Sequence, residues 1–209
     1  LYITTGFGRL RHLGVRHMDV SCATKALDAL DKWMDERYRG ILKQDNKNQN
    51  HLSPTIALYL YGRSFFLSDK PVNTQYQEAL DYWLDQGRLY WLSLWRHSQA
   101  HLAIALKRFG DRQTPDNIMQ SIREHSVTDE ELGMFWWDLE RSWWWYRAPI
   151  ETQALMIEAF DEVCGDVQAV EGCRVWLLKQ KQTQDWKTTK ATADAIYGLL
   201  LRGVDLLAS

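Results

Sequence analysis

The 209-residue sequence has little that would mark it as a nucleic-acid binder, a membrane protein or a disulfide-rich domain. Its 25 lysines and arginines are outnumbered by 27 aspartates and glutamates, so the net charge of −2 offers no basic excess to attract nucleic acid. No uninterrupted apolar run approaches the ~18 residues of a membrane-spanning helix. Three cysteines, Cys22, Cys164 and Cys173, form no CxxC motif and cannot complete a disulfide framework.

Proline is also scarce, with 4 residues, and no run of alternating apolar and polar residues predicts a strand. Apolar residues recur instead at helical spacing, as at Leu102, Ala105, Leu106 and Phe109. A hydrophobic fraction of 45% and a charged fraction of 25% are typical of a folded globular protein. The sequence therefore predicts a single all-α domain over residues 1–209 with about nine or ten helices.

Local signals predict where helices begin and end. Helix starts are indicated by two Ser/Thr-Pro pairs and two capping boxes, which are Ser53-Pro54, Thr114-Pro115, Thr74 with Gln77, and Thr128 with Glu131. Helix ends are indicated by glycines that follow periodic stretches, namely Gly40, Gly87, Gly110, Gly165 and Gly203. A longer irregular stretch is expected at about 131–148, between the predicted helices.

The predicted helices are of two kinds, and the kinds alternate along the chain. Four are rich in alanine and leucine and carry little charge, at 53–66, 98–109, 151–163 and 189–201. Three are amphipathic, at 74–85, 114–124 and 166–179. Because a helix that is apolar on all sides is buried and a helix with one apolar stripe lies at the surface, the alternation predicts inner and outer helices in repeated hairpins. A ring or solenoid of these pairs is favoured, and an irregular helical bundle is the alternative.

The last fifty residues hold the most specific pattern in the chain. From Ala148 the sequence reads APIETQALMIEAFDEV, and it continues later as VEGCRVWLLKQKQTQDWKTTKATADAIYGLLLRG. This pattern resembles the end of the thioester-containing, complement-like domain of the alpha-2-macroglobulin family, in its bacterial envelope members. Earlier segments fit the same family pattern, at 2–15, 53–66, 99–111, 132–137 and 143–154, so the resemblance covers most of the chain.

The resemblance implies a fold, a role and a location. The fold would be an α/α toroid of alternating inner and outer helices, of which this chain is an incomplete, C-terminal part excised from a much larger multidomain protein. The parent would be a periplasmic or cell-envelope-associated endopeptidase inhibitor that traps a protease after the protease cuts a bait region. The domain itself would be non-enzymatic and would need neither cofactor nor metal. Its partners would be other domains of the parent and, through the intact parent, target proteases, with no nucleic acid and no direct membrane insertion.

The thioester is the feature in which this sequence departs from the family. Thioester-bearing members hold a cysteine–glutamine bond within a CxEQ motif, and none of Cys22, Cys164 and Cys173 is followed by that motif. The motif either precedes Leu1 in the parent or has been lost, and both explanations are open at this point. The histidine that assists thioester transfer in some members has no clear counterpart in this sequence. His51 lies in the same general part of the chain.

The irregular stretch contains a candidate aromatic contact surface, formed by Trp136, Trp137, Trp143, Trp144 and Trp145. Exposed aromatic rings of this kind would stack on sugars or bind a protein partner. The alternative, which the resemblance favours, is that the rings pack as a lid over the helix ends, with their indole N–H groups bonded to carbonyl oxygens.

Two further pairs of residues raise the question of a metal or a disulfide. His97 and His101 are spaced to face one metal, but Ser98 replaces the glutamate of the metalloprotease HExxH motif and no third ligand is evident, which favours hydrogen-bonded histidines on a buried helix. Cys164 and Cys173 would form a disulfide in an oxidising compartment if their Cα atoms lay within ~7 Å, and free thiols are the alternative.

Two other functions are alternatives to the protease trap. One is a carbohydrate-active lyase or hydrolase on the same toroid, which predicts that Glu151 faces a second acid across a cleft. The other is a structural docking module whose aromatic surface binds neighbouring domains.

Overall fold

The computed structural model describes residues 1–15, 17–137, 149–183 and 188–201, and these residues are mostly helical, in agreement with the all-α prediction. The helices are α1 (Tyr2–His12), α2 (Ser21–Lys43), α3 (Pro54–Ser64), α4 (Gln77–Tyr90), α5 (Arg96–Arg108), α6 (Gln113–Glu124), α7 (Pro149–Ala159), α8 (Val167–Thr183) and α9 (Thr189–Leu200). Short 3₁₀ turns, Thr74–Tyr76 and Trp91–Ser93, flank α4, and a π-helical turn, Phe160–Cys164, follows α7. Within the described ranges, no helix has both the length and the apolar character needed to cross a bilayer.

Three of the predicted helix boundaries are confirmed. The Ser53 side chain accepts a hydrogen bond from the backbone N–H of Ile56, and Pro54 occupies the first turn of α3, where a missing N–H costs nothing. Gly110, after α5, and Gly165, after the π-helical turn, have φ angles of 92° and 62°. Glycine adopts this left-handed conformation with little strain, which is why it ends helices.

Two predicted helix ends are wrong, because a glycine within a helix costs only about 1 kcal/mol relative to alanine and does not by itself end the helix. The predicted end at Gly203 lies outside the described residues. The helix α2 continues through Gly40 to Lys43, and α4 continues through Gly87 to Tyr90. A Cβ on Gly87 would lie 2.8 Å from Cδ1 of Leu102, so glycine at this position lets α5 approach α4 closely.

At two predicted N-caps, an earlier polar side chain accepts the hydrogen bonds in place of the predicted threonine. The helix α6 begins at Gln113, and the Asp111 carboxylate accepts hydrogen bonds from the N–H groups of Gln113 and Thr114, in place of a Thr114 cap. Similarly, Asn73 caps the 3₁₀ turn in which Thr74 is the first residue. Asparagine and aspartate compete strongly for this position, since a short side-chain oxygen reaches the free N–H groups.

The expectation of a strand-free chain is wrong at one hairpin, in which β1 (Val127–Asp129) pairs antiparallel with β2 (Gly133–Phe135). The predicted capping box at Thr128 and Glu131 is therefore wrong as well. Gly133 has a φ of 80°, and a Cβ there would lie 2.2 Å from the carbonyl oxygen of Gly172. The hairpin thus packs directly on the backbone of α8, through a contact that only glycine permits.

The helices differ in burial as their composition predicts. Every residue from Ser98 to Leu106 in α5 and from Glu151 to Ala159 in α7 is buried. The amphipathic α6 buries only one stripe, which consists of Pro115, Ile118, Met119 and Ile122. Such a stripe on an otherwise exposed helix is what its polar face requires.

The odd-numbered helices pack on one another in series. Along the chain, α1 packs on α3, α3 on α5, α5 on α7, and α7 on α9. The other helices pack against this series, with α2 on α1, α4 on α3, α6 on α5 and α8 on α7. The first and last described helices also meet, because Arg9 of α1 forms a salt bridge with Asp194 of α9. The helix α1 therefore contacts both α3 and α9.

Candidate functional site

A cavity of about 720 Å³ lies among α1, α3, α5, α7 and α9. Its lining residues with charged or imidazole side chains are Arg9, His97, His101, Glu151, Lys190 and Asp194. The lining residues of α3, α5, α7 and α9 come from the first two turns of those helices, so four helix N-terminal ends surround the same space. This arrangement makes the cavity the candidate functional site, since convergent polar groups in a mostly apolar pocket are typical of ligand sites.

Asp194 is held by two cations on the cavity wall. Its Oδ1 lies 2.5 Å from Nη1 of Arg9, and its Oδ2 lies 2.8 Å from Nζ of Lys190, one helical turn earlier. The Arg9 guanidinium also lies 4.8 Å from the ring centroid of Tyr197. Burial alone would lower the pKa of Arg9, but the nearby Tyr61 and the Asp194 carboxylate raise the pKa above its usual range.

Glu151 is the second carboxylate of the cavity, and its surroundings differ from those of Asp194. It lies in the first turn of α7 and is 7% exposed. No described cation lies within salt-bridge distance of its carboxylate. Burial raises the pKa of Glu151, although a hydrogen bond from its own backbone N–H and the nearby Lys190 charge oppose that shift. The two carboxylates of the cavity are thus an ion-paired acid and a desolvated one, a contrast that separates acid from base roles in many active sites.

The histidine pair of α5 lies against the same cavity. The rings of His97 and His101 meet edge to face, with centroids 4.5 Å apart, and Nδ1 of His97 lies 3.3 Å from Oγ1 of Thr152. Burial lowers the pKa of His97 to about 3 and lowers that of His101 well below its usual value, so both imidazoles are neutral. In the part of the chain that the structure describes, no group of three or more His, Cys, Asp or Glu side chains is placed to hold a metal ion.

A network of buried polar groups continues from the cavity into the core. Arg9 Nε donates to the Tyr61 hydroxyl at 3.0 Å, and that hydroxyl donates to Glu158 at 2.6 Å. Glu158 also binds Arg108 at 2.9 Å, and Arg108 binds Glu162 at 2.6 Å. We call these five residues, Arg9, Tyr61, Glu158, Arg108 and Glu162, the core network.

The core network and the Arg9–Asp194 pair are absent from the predictions made from the sequence. A usable signal was nevertheless present, because a lone charged residue in an alanine- and leucine-rich helix must find a partner when the helix is buried. Arg63 in α3 shows the same rule, since its guanidinium lies 3.1 Å from Asp31 and neither side chain is more than 4% exposed.

The predicted aromatic surface is only partly described, and one of its members is not available for contact. Trp136 is 1% exposed, and its indole N–H donates to the carbonyl oxygen of Ile122 at 2.8 Å. Trp136 is therefore a packing residue, as the packing alternative expects, and it does not belong to a contact surface. Trp137 is 59% exposed. The remaining members, Trp143, Trp144 and Trp145, lie outside the described residues.

The other candidate residues lie apart from the cavity lining. Cys22 and Cys164 are exposed, Cys173 is buried, and all three are free thiols, so no disulfide joins Cys164 to Cys173. Burial raises the pKa of the Cys173 thiol, which makes it a poor nucleophile. His51 precedes α3, where its Nε2 lies 3.0 Å from the carbonyl oxygen of Asn46.

No protein-family model, curated protein or solved structure matches this chain, and the alpha-2-macroglobulin resemblance therefore remains a prediction.

Proposed function

We propose that this chain is a non-enzymatic α/α-toroid domain of a bacterial alpha-2-macroglobulin-like endopeptidase inhibitor. The observation that carries the proposal is the packing order of the helices. The odd-numbered helices pack in series from α1 to α9, with the even-numbered helices packed against them, and the Arg9–Asp194 salt bridge joins the two ends of that series. This order is what the resemblance to the family's toroid implies, and an irregular bundle would not require it.

In this role the domain acts as a rigid unit of a larger trap. A protease cuts a bait region elsewhere in the parent, the parent changes shape, and the domain moves as one body because its inner helices are tied by the core network. Fully paired buried charges favour one arrangement of neighbouring helices over others. The parent would be periplasmic or envelope-associated, and the outer helices and exposed residues of the domain would contact its other domains.

The chain itself supplies no thioester. Without a CxEQ motif, none of its three cysteines has the glutamine partner that the bond requires. Covalent attachment to a protease would therefore use residues outside this chain, and otherwise the trap would act by shape alone.

The test is a protease-protection assay with the intact parent and with this chain alone. The intact parent should inhibit cleavage of a large protein substrate more strongly than cleavage of a small chromogenic peptide, because a trapped protease still admits small molecules. The isolated chain should inhibit neither reaction. Equal protection of both substrates by the parent, or protection of neither, would contradict the proposal.

A glycan-cleaving enzyme is a second candidate, and one specific observation favours it. Glu151 and Asp194 come from different helices but line the same cavity, where burial raises the pKa of Glu151 while two cations hold Asp194. A glycosidase would use Glu151 as the general acid and Asp194 as the base or nucleophile. This candidate predicts release of reducing ends from a polysaccharide by the chain, and loss of that activity in Glu151→Gln.

A structural docking module is the third candidate, and the exposed Trp137 is the described residue that favours it. It predicts that Trp137→Ala weakens binding to a neighbouring domain of the parent and leaves the free energy of unfolding unchanged.

A further inference from the structure

The charged groups on the cavity wall balance one another. Arg9 and Lys190 both bind the Asp194 carboxylate, at 2.5 Å and 2.8 Å, and Glu151 adds a second carboxylate to the wall. The wall thus has two cations and two carboxylates, and Asp194 already engages both cations. An anionic ligand would have to compete with Asp194 for its partners, and a cationic ligand would meet no net negative charge.

Several polar groups of the wall are uncharged or retain hydrogen-bonding capacity. Both His97 and His101 line the cavity as neutral imidazoles, which donate and accept hydrogen bonds without adding charge. Glu151 is 7% exposed and lines the cavity, and within the described residues its carboxylate has neither a salt bridge nor a hydrogen bond from another side chain. An apolar ligand would desolvate Glu151 without replacing its water, whereas a ligand rich in hydroxyl groups would supply new donors.

Aromatic side chains contribute to the same wall. Tyr2 of α1 and Trp33 of α2 line the cavity and remain 58% and 36% exposed. Aromatic rings provide a flat apolar surface at low conformational cost, which suits a ligand that has both an apolar face and a polar edge. Together with Glu151 and the histidines, they supply both kinds of contact within a single space.

We infer that this cavity is a binding site for a neutral saccharide of about two pyranose rings, a size that fits its 720 Å³. The hydroxyl groups of the saccharide would bind Glu151 and the histidine pair, and its ring faces would pack against Tyr2 and Trp33. This inference goes beyond the protease-trap proposal, which assigns the cavity no ligand. It requires binding only and does not depend on cleavage.

The experiment measures binding of sugars to the 209-residue chain by calorimetry and ligand-observed NMR. The neutral probes are cellobiose, maltose and N,N′-diacetylchitobiose, and the charged probes are disaccharides of the same size, cellobiuronic acid and chitobiose. At least one neutral disaccharide should bind with a millimolar Kd, and both charged sugars should bind more weakly. Glu151→Gln and Trp33→Ala should each weaken binding of the neutral disaccharide about tenfold, since each removes a direct contact.

Matched controls separate the cavity from the rest of the surface. Glu130→Gln and Trp137→Ala change exposed residues that do not line the cavity, and binding should be unchanged in both. Circular dichroism confirms that each variant is folded, and Tyr2→Ala replaces Trp33→Ala if the latter is not. Failure of all three neutral disaccharides to bind, stronger binding of a charged sugar, or unchanged affinity in the folded cavity variants would overturn the inference.

A reducing-end assay on the same samples separates binding from catalysis. A disaccharide that binds and is recovered intact supports the inference and excludes the glycosidase candidate, whereas cleavage supports both. The protease-protection assay with the intact parent is independent of these results, so failure of the trap and failure of the saccharide site are distinguishable.

Discussion

The core network and the cavity wall are built from the same residue types, but they differ in how completely those residues are paired. In the core network, Glu158 is held by both the Tyr61 hydroxyl and Arg108 and is only 1% exposed. On the cavity wall, Glu151 is nearly as buried, at 7% exposed, and has no such pair within the described residues. A buried carboxylate whose hydrogen-bond and ion-pair partners are all present stabilises one arrangement of the helices. A buried carboxylate that faces a cavity without such a partner is available to bind a ligand.

The largest effect is expected from Arg108→Ala, which removes the cation that holds both Glu158 and Glu162. Since Glu158 would remain buried without its cation, the free energy of unfolding should fall by about 3–5 kcal/mol in urea titrations. Arg88→Ala is the control, because Arg88 pairs with Asp111 and Asp85 at the surface, with 39% of its side chain exposed. It should cost less than about 1 kcal/mol. Equal losses in the two variants would show that the core network contributes no more than a surface pair.

A smaller effect is expected from Tyr61→Phe, which keeps the ring and removes the hydroxyl that joins Arg9 to Glu158. Two buried charged groups would each lose one hydrogen bond, so the free energy of unfolding should fall by about 1–3 kcal/mol. Tyr90→Phe is the matched control, because the Tyr90 hydroxyl donates to the carbonyl oxygen of Asn48 at an exposed position. If Tyr61→Phe proved as stable as the control, the hydrogen bonds of the Tyr61 hydroxyl to Arg9 and Glu158 would not contribute to stability.

The sequence predicts features that depend on neighbouring residues in the chain, and it does not predict features that depend on contacts between distant segments. The Ser53 cap and the left-handed Gly110 and Gly165 are set by residues within one helical turn, and these predictions are confirmed. Gly87 lies inside a helix because a residue from another helix packs against it, and local propensity contains no information about that contact. The hairpin at 127–135 is similar, since its strands have three residues each and depend on α8 for their position.

The candidate site shows the same limit. Glu151 was identifiable from the sequence because it is an acid in the first turn of a helix rich in apolar residues. Asp194 and Arg9 are 185 residues apart, and only the packing of α1 on α9 brings them together. The sequence therefore predicts which helices are buried, whereas the pairing of their charged residues is determined by the tertiary fold.

The histidine pair provides a third test, in which pH replaces mutation. Burial lowers the pKa of His97 to about 3, against its usual 6.5. Between these two pH values, His97 is protonated in the unfolded chain and neutral in the folded chain. Stability is then complete above pH 6.5 and falls progressively as the pH drops toward 3. At pH 5 His97 alone should lower the free energy of unfolding by about 2 kcal/mol relative to pH 7, His101 adds to this loss, and the total loss should be smaller in His97→Gln.

His125→Gln is the control for the acid titration, because His125 is exposed at the end of α6. At pH 7 its free energy of unfolding should match that of the wild-type chain, which shows that replacing an exposed histidine by glutamine has no cost of its own. A wild-type stability that is equal at pH 7 and pH 5 would mean that the cavity admits water and a proton to the histidines in the folded state.

The smallest effect, and one of opposite sign, is expected from Glu151→Gln. Burial raises the pKa of Glu151, so this carboxyl keeps its proton to higher pH in the folded chain than in the unfolded chain. Its contribution to the free energy of unfolding therefore decreases as the pH rises through that range. Glutamine removes the charge and keeps the shape, so the variant should be as stable as the wild type at pH 7 or slightly more stable, and less dependent on pH between 4 and 7. Glu158→Gln is the contrasting variant, because it takes the charge from Arg108 and should destabilise the protein. If Glu151→Gln destabilised the chain as much as Glu158→Gln, Glu151 would be a structural carboxylate like Glu158, and the contrast between the cavity wall and the core network would fail.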